Sequence, residues 1–245
     1  MKSKTKNYLV RGCTFAIVFL GGCTMVLPFL WMLVTSLKEA NLVYTIPPQW
    51  IPDPVDWRNY VDVWSAANII TGIKNSAIIS ICVLTFSTFT STLAAFSFAK
   101  LDFPCKNVIF LCLLATMMVP GVVLLVPQFL MYTKFEWIDT LLPMIVPACL
   151  CNINNLFFLR QFISGLPNGY LDAAKIDGCT YFGAYWKIYL PMCKPAIIAN
   201  AIMLFMGTWN DYFGPLIFTH SESKQTIQVA IAILSSHYEQ QTDIP

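Results

Sequence analysis

The chain has 245 residues, of which 57% are hydrophobic and only 11% charged, with a formal net charge of +2 and a mean hydropathy of +0.62. A soluble domain averages nearer a quarter charged residues, because its surface must face water, so a water-soluble globular domain is excluded. The placement of the few charges says more than their number.

In chain order, no Lys, Arg, Asp or Glu lies between Arg11 and Lys38, between Lys74 and Lys100, between Lys106 and Lys134, or between Asp139 and Arg160. A fifth run extends from Pro195 to Thr219 with Asp211 as its only charge. Each run is about as long as the ~20 residues a helix needs to cross the hydrocarbon core. Strands of a membrane barrel would instead show short alternating segments. The pattern predicts an all-α, polytopic membrane protein with five spans. Basic residues precede the first run, as in a signal peptide, but the run is too long for one and lacks a clear cleavage site, so it reads as a permanent span. Pro28, Pro120, Pro127 and Pro147 fall inside spans and predict kinks there.

Orientation follows from the basic side chains. With the amino terminus in the cytoplasm, ten of them fall inside (Lys2, Lys4, Lys6, Arg11, Lys100, Lys106, Arg160, Lys175, Lys187 and Lys194) and five outside (Lys38, Arg58, Lys74, Lys134 and Lys224). That bias matches the positive-inside rule. Among the nine cysteines, Cys13, Cys23, Cys82, Cys112, Cys149 and Cys151 sit in spans, and Cys105, Cys179 and Cys193 face a reducing cytosol, so no disulfide framework is expected. His220 and His237 stand far from most of the cysteines, so no metal site is expected. There is no Gly-rich phosphate loop by which the chain itself would bind a nucleotide.

Two connecting segments are long. The first, from about Lys38 to Asn68 on the outside, contains Ile46-Pro47-Pro48-Gln49-Trp50 and Trp57-Arg58-Asn59-Tyr60. Its Pro pair and aromatics read as a packed loop at the membrane interface, with a docking surface for an external partner as the alternative. In the second span, Thr85, Ser87, Thr88, Thr90, Ser91 and Thr92 read as hydrogen-bonding groups between packed helices.

The second long segment is cytoplasmic, from about Ser164 to Lys194. Leu171, Ala174 and Ile176 would form the apolar side of a short helix ended by Gly178 as its C-terminal cap. A second short helix would run from about Tyr181 to Tyr189, ahead of Pro191. Leu171, Tyr181, Phe182, Tyr185 and Trp186 are many bulky residues for a cytosolic loop. They read either as a contact surface for another protein or as an amphipathic helix on the lipid headgroups, anchored by Lys175 and Lys187.

This segment resembles the cytoplasmic signature of binding-protein-dependent ABC importer permeases: E-A-A, three residues, G, nine residues, I-x-L-P. Here Asp172-Ala173-Ala174 is followed by three residues and Gly178, and nine more lead to Ile188-Tyr189-Leu190-Pro191. The one departure is Asp for Glu. Trp209-Asn210-Asp211-Tyr212 with Pro215-Leu216-Ile217 is similar to the carbohydrate-uptake branch of the maltose and multiple-sugar type. So are Phe158-Leu159-Arg160-Gln161-Phe162, Asn75-Ser76 and Met118-Val119-Pro120.

The resemblance implies an ABC importer type I permease fold over residues 1–245: a first span and extracytoplasmic loop in 1–70, then a core bundle in 71–245 with the coupling loop at about 164–194. It implies an ATP-driven carbohydrate importer. The translocation path would be shared with a second permease subunit, and the coupling helix would sit in a groove of an ATPase subunit dimer. An extracytoplasmic sugar-binding protein would deliver substrate, in the bacterial cell membrane and among its lipids. It implies no catalytic residue, cofactor or metal in this chain, and no nucleic acid. Asp172, Ala173, Ala174, Asp177, Gly178, Ile188, Leu190 and Pro191 would carry the coupling: Ala173 and Ala174 through close approach, Asp172 through the helix dipole and Gly178 through a sharp exit. No substrate contacts are assigned, since in relatives they often fall mainly on the partner permease. Members commonly have six spans. The apolar run Ile227 to Leu234 is too short to cross, so the sixth is expected to be missing before Pro245. The rival readings are a metal-dependent intramembrane lipid-headgroup transferase, which lacks further aspartates at helical spacing, and a structural scaffold.

Overall fold

The computed structural model of the chain describes residues 2–39, 42, 43, 45–66 and 68–242, without the side chains of 2–10, 65, 66 and 237–242. Lys2, Lys4, Lys6 and His237, as side chains, and Pro245 therefore lie outside the described residues. The described residues contain helices and no strand. They divide into two compact units, one from Met1–Ala67 with Leu234–Pro245, the other Asn68–Ile233.

In the first unit, α1 (Lys2–Ser36) contains the stretch Arg11–Ser36, long and apolar enough to cross a membrane. Pro28 lies within it. The following loop is largely exposed, Ile46, Trp50, Ile51 and Trp57 among its residues, and is held at a few points. Trp50 meets Trp31 edge-on at 5.0 Å between ring centroids, and the ammonium of Lys38 lies 4.7 Å above the Trp31 ring. The short helix α2 (Arg58–Ala66) is tied back to the end of α1. The Asn59 amide donates to the carbonyls of Ser36 and Lys38, at 3.2 and 2.8 Å, and the Tyr60 and Ser36 hydroxyls are 2.6 Å apart.

The second unit is built on α3 (Ile69–Lys100), 32 residues long. Two unequal breaks divide the two charge-free runs after it. The third run forms α4 (Lys106–Thr116) and α5 (Gly121–Lys134), bent by 93° rather than crossing straight. The amides of Met117, Met118 and Val119 tighten onto carbonyls three residues back, and Pro120, which has no N–H to continue the ladder, turns extended (φ −61°, ψ 130°). The sequence predicts a kink at Pro120; the structure has a full break. The fourth run forms α6 (Leu142–Cys149) and α7 (Ile153–Ser164), with Asn152 capping α7 through its side chain, which accepts from the Asn155 amide. Together, Leu142–Ser164 is long and apolar enough to cross.

The segment from about Ser164 to Lys194 holds α8 (Gly169–Ile176) and α9 (Tyr181–Met192), and α10 (Lys194–Trp209), α11 (Phe213–Phe218) and α12 (Ile227–Thr242) follow it. α9 and α10 are bent by 78° at Cys193. Among the described residues three stretches are therefore long and apolar enough to cross, counting Leu142–Ser164 across its break, and up to five if each sharply bent pair counts as one.

Thr90, Ser91 and Thr92 of α3 reach neighbouring elements, whereas Thr85 bonds back within its own helix. Thr90 donates to the Cys149 carbonyl at 3.2 Å, and Thr92 lies 2.8 Å from the Tyr185 hydroxyl. Toward its C-terminal end, Phe96 and Phe98 join Phe110, Leu156, Leu159, Ile163, Tyr185 and Tyr189 in one buried core. The Phe96 ring lies 5.6 Å from Tyr185 and 5.0 Å from Tyr189. Arg160 caps this core with its guanidinium 3.9 Å above the Phe110 ring.

At the other end of α3, polar groups do the holding. The Asn75 amide donates to the carbonyls of Ser223 and Gln225, at 3.0 and 2.8 Å, and the Ile227 amide donates to Ser76 Oγ at 3.0 Å. A β-carbon on Gly72 would stand 3.0 Å from the Ile227 Cα, so this close approach requires glycine. Asp139 receives the hydroxyl and the N–H of Ser221 and the N–H of His220, and these bonds hold its carboxyl down at about 2.

Candidate functional site

The signature residues fall on α8, the turn after it and α9. The approach is fixed from α3, whose terminal Lys100 donates to the Leu166 carbonyl at 2.6 Å and to Asn168 Oδ1 at 2.7 Å. α8 then presents two faces. Leu171 and Ala174 are buried, 6% and 3% exposed, in the core around Phe96 and Tyr189. Asp172, Ala173, Lys175, Ile176, Asp177 and Gly178 face outward. Asp172 lies in the first turn and Lys175 in the last, each complementing the helix dipole.

Gly178 does what its position in the sequence predicts. Its φ of +75° lies in the left-handed region, where a β-carbon is strained. The Cys179 amide returns to the Ala174 carbonyl at 2.8 Å and the Gly178 amide to Lys175 at 3.0 Å, the pair of bonds that closes a Schellman turn. Nothing in the chain comes within 4 Å of where a Gly178 β-carbon would stand. The side chain's absence is therefore not required by the chain's own packing.

The next corner is built by two residues that the signature does not include. Thr180 caps α9 by accepting from the Gly183 amide at 3.1 Å. A β-carbon on Gly183 would lie 2.7 Å from Cys179 Sγ, so any larger residue there requires the cysteine side chain in the turn to move. Thr-x-x-Gly ahead of an apolar run carried that signal in the sequence.

Three expectations change. Ile176 was expected on the apolar side of α8, but it is 86% exposed, because two residues beyond Ala174 a helix has turned away from the buried face. Ala174 lies in the core, so among the two alanines only Ala173 offers its methyl outward. Leu171 and Tyr185 are internal rather than part of an exposed surface. The outward bulky residues are Tyr170, Ile176, Tyr181, Phe182 and Trp186, with Phe182 and Trp186 stacked at 6.4 Å and Lys175 5.0 Å above the Tyr181 ring.

α9 also continues past the expected stop. Residues Tyr185–Tyr189 form a π-helical turn, with the Leu190 amide reaching back to the Tyr185 carbonyl, and Pro191 sits within the helix. Proline removes a donor and crowds the carbonyl four residues back; the wider turn relieves that crowding. The turn also leaves both Tyr185 and Tyr189 buried while Trp186 and Lys187 point out. Ile188 and Leu190 are half-buried and Pro191 is exposed, so the distal half of the signature shapes the support of the loop more than its outer face.

Residues 87–240 match the family model described as the binding-protein-dependent transport system inner membrane component. The chain belongs to this family. Over all of its length, and 88% of the relative's, it is 31% identical to the arabinooligosaccharides transport system permease protein AraQ of Halalkalibacterium halodurans. It is 28% identical to the diacetylchitobiose uptake system permease protein NgcG of Streptomyces coelicolor, over 90% of this chain and 73% of that one. Its fold matches a chain in the crystal structure of a bacterial ABC transporter involved in the import of the acidic polysaccharide alginate. The TM-score is 0.78 at 19% identity, covering 91% of this chain and 79% of that one. It is a multi-pass membrane protein of a transport-permease family, with the fold of an ABC importer permease.

Proposed function

We propose that this chain is one permease subunit of an ATP-driven carbohydrate importer, and that α8 couples it to a separate ATPase. The observation that carries the reading is the two-faced α8: an outward surface of Asp172, Ala173, Asp177 and Gly178, seated on Leu171 and Ala174 in the core. A surface helix held this firmly transmits force to the bundle instead of yielding to it. Ile188, Leu190 and Pro191 set its support. The named relatives take up different sugar oligomers, which supports carbohydrate as the substrate class.

The other subunits are a second permease, which completes the path, an ATPase dimer and an extracytoplasmic sugar-binding protein. The chain itself carries no catalytic step. It forms one permease domain, amino terminus in the cytoplasm, and the excess of basic residues on the α8 side supports that orientation. Alternating access would then proceed by rocking of the two permeases about the shared path.

The test is co-purification in mild detergent of the tagged chain with its ATPase and second permease, using Gly178→Asp as the control. Because the position is open in the isolated chain, the variant's bundle stays folded and only the partner meets the new carboxylate. Wild type retaining both subunits, with loss of the ATPase alone in the variant, is the expected result. A variant that keeps the ATPase and transports normally removes the coupling role.

A further inference from the structure

A groove of about 510 Å³ opens at the surface of the second unit between α3, α9 and α10. One wall is residues 84–92 of α3, just over two turns and about 12 Å long. The other is the elbow of α9 and α10, from residue 185 to residue 201. Thr92 meets the Tyr185 hydroxyl, so the groove begins at the α8 end of α3 and runs inward from it. Its length is close to the about 15 Å of one leaflet, half of the hydrocarbon core.

The lining is graded along that length. Its inner part is apolar, with Leu84, Ile197 and Ala201, and the hydroxyl at that depth, Thr85, already donates to the Ile81 carbonyl. Its outer end carries Trp186, half exposed, and Lys194, the one charged group of the lining. No carboxylate lines the groove. Among the described residues, the Lys194 ammonium, the Trp186 indole N–H and the Thr88 hydroxyl make no hydrogen bond or ion pair within the chain. The volume suits a flexible chain better than a helix, which is 10–12 Å across and would fill roughly 900 Å³ over the same length. A free inorganic anion would meet Lys194 but leave the apolar length uncovered.

We propose that this groove binds one anionic phospholipid of the leaflet on the α8 side. Its phosphate meets Lys194, an ester carbonyl accepts from Thr88, and an acyl chain lies along Leu84, Phe89, Ile197 and Ala201. Trp186 then stands at headgroup level, where an indole is favoured. A basic pocket between spanning helices selects an anionic headgroup, because a zwitterionic one brings its own cation toward the lysine. The chain that fills the groove touches α3 and both arms of the elbow at once.

The experiment places the full chain, with whatever subunits co-purify, in phosphatidylcholine nanodiscs holding a trace of photoactivatable lipid. The probes are phosphatidylglycerol and phosphatidylcholine, each with a diazirine on one acyl chain, and labelled peptides are mapped by mass spectrometry. Phosphatidylglycerol is expected to label residues 84–89 and 197–201 well above phosphatidylcholine. That label should fall about three- to tenfold in Lys194→Gln and return in Lys194→Arg. Lys187→Gln, which removes a neighbouring charge outside the groove, should leave it unchanged. Equal labelling by the two lipids, or an equal fall in Lys187→Gln, assigns the effect to general surface charge and overturns the site. Label that appears on the chain alone and vanishes when the second permease is bound gives the groove to that subunit and also overturns it. None of these outcomes bears on coupling through α8, which co-purification of the ATPase tests separately.

Discussion

Two segments return to opposite ends of α3, and they are fixed by opposite chemistry. Residues 165–192 are seated by apolar side chains in a core, through Leu171, Ala174, Tyr185 and Tyr189. Residues 219–226 are fixed by hydrogen bonds, through Asn75, Ser76 and Asp139. Apolar seating is non-directional and leaves the polar edge of α8 unspent, so that edge remains available to another protein. A latch of hydrogen bonds uses its polar groups up and fixes geometry, at the cost of sensitivity to each single group.

Leu171→Ala is the largest expected break in that contrast. Deleting a buried leucine at an otherwise filled site destabilises by about 2–5 kcal/mol, read as a fall in unfolding temperature in detergent. Gly183→Val should come next at about 1–3 kcal/mol, because its branched side chain forces Cys179 Sγ and the capping Thr180 hydroxyl to move. Gly178→Asp, five residues away, should leave the unfolding temperature within roughly 1–2 kcal/mol of wild type, the strain of its φ alone. Equal losses at the two glycines would show that both serve the fold and neither a partner.

On the latch side, Asn75→Ala strands the Ser223 and Gln225 carbonyls and should cost about 1–3 kcal/mol, with faster amide exchange confined to 219–227. Uniformly faster exchange would mean that the latch is not a local device. The smallest effect belongs to Asp139. Its carboxyl is held at about 2, below the ordinary value near 4, by bonds that favour the charged form. The stabilisation is therefore whole above about pH 4 and is lost as pH falls through about 2. Protection of the His220 and Ser221 amides should follow that course, and Asp139→Asn should abolish the step.

The membrane class was legible because hydrocarbon tolerates few charges, and gaps between charges survive any local bending. The breaks were less so. Pro120 flagged one, but the 78° bend at Cys193 has no breaker residue at its apex, with Pro191 and Pro195 only flanking it. At α8, Gly178 could be read because only one backbone conformation needs it. Ile176 and Tyr185 were misplaced for geometric reasons: a helix turns 100° per residue, and the π turn in α9 shifts the faces by one position. The groove could not be read at all. Thr88 and Lys194 are 106 positions apart, and nothing local marks either as a wall of the same space.

The bend at Cys193 makes α9 and α10 a bell crank. Its short arm carries the stacked aromatics beside α8, and its long arm is 16 residues, about 24 Å. A tilt of about 5° at the elbow carries the far tip of that arm through about 2 Å, on the scale of a shear step between packed helices. Asn200 lies partway along the arm and Thr208 close to its tip, so a tilt of a few degrees at the elbow would change the width of the chamber they line together with α3, α6 and α7.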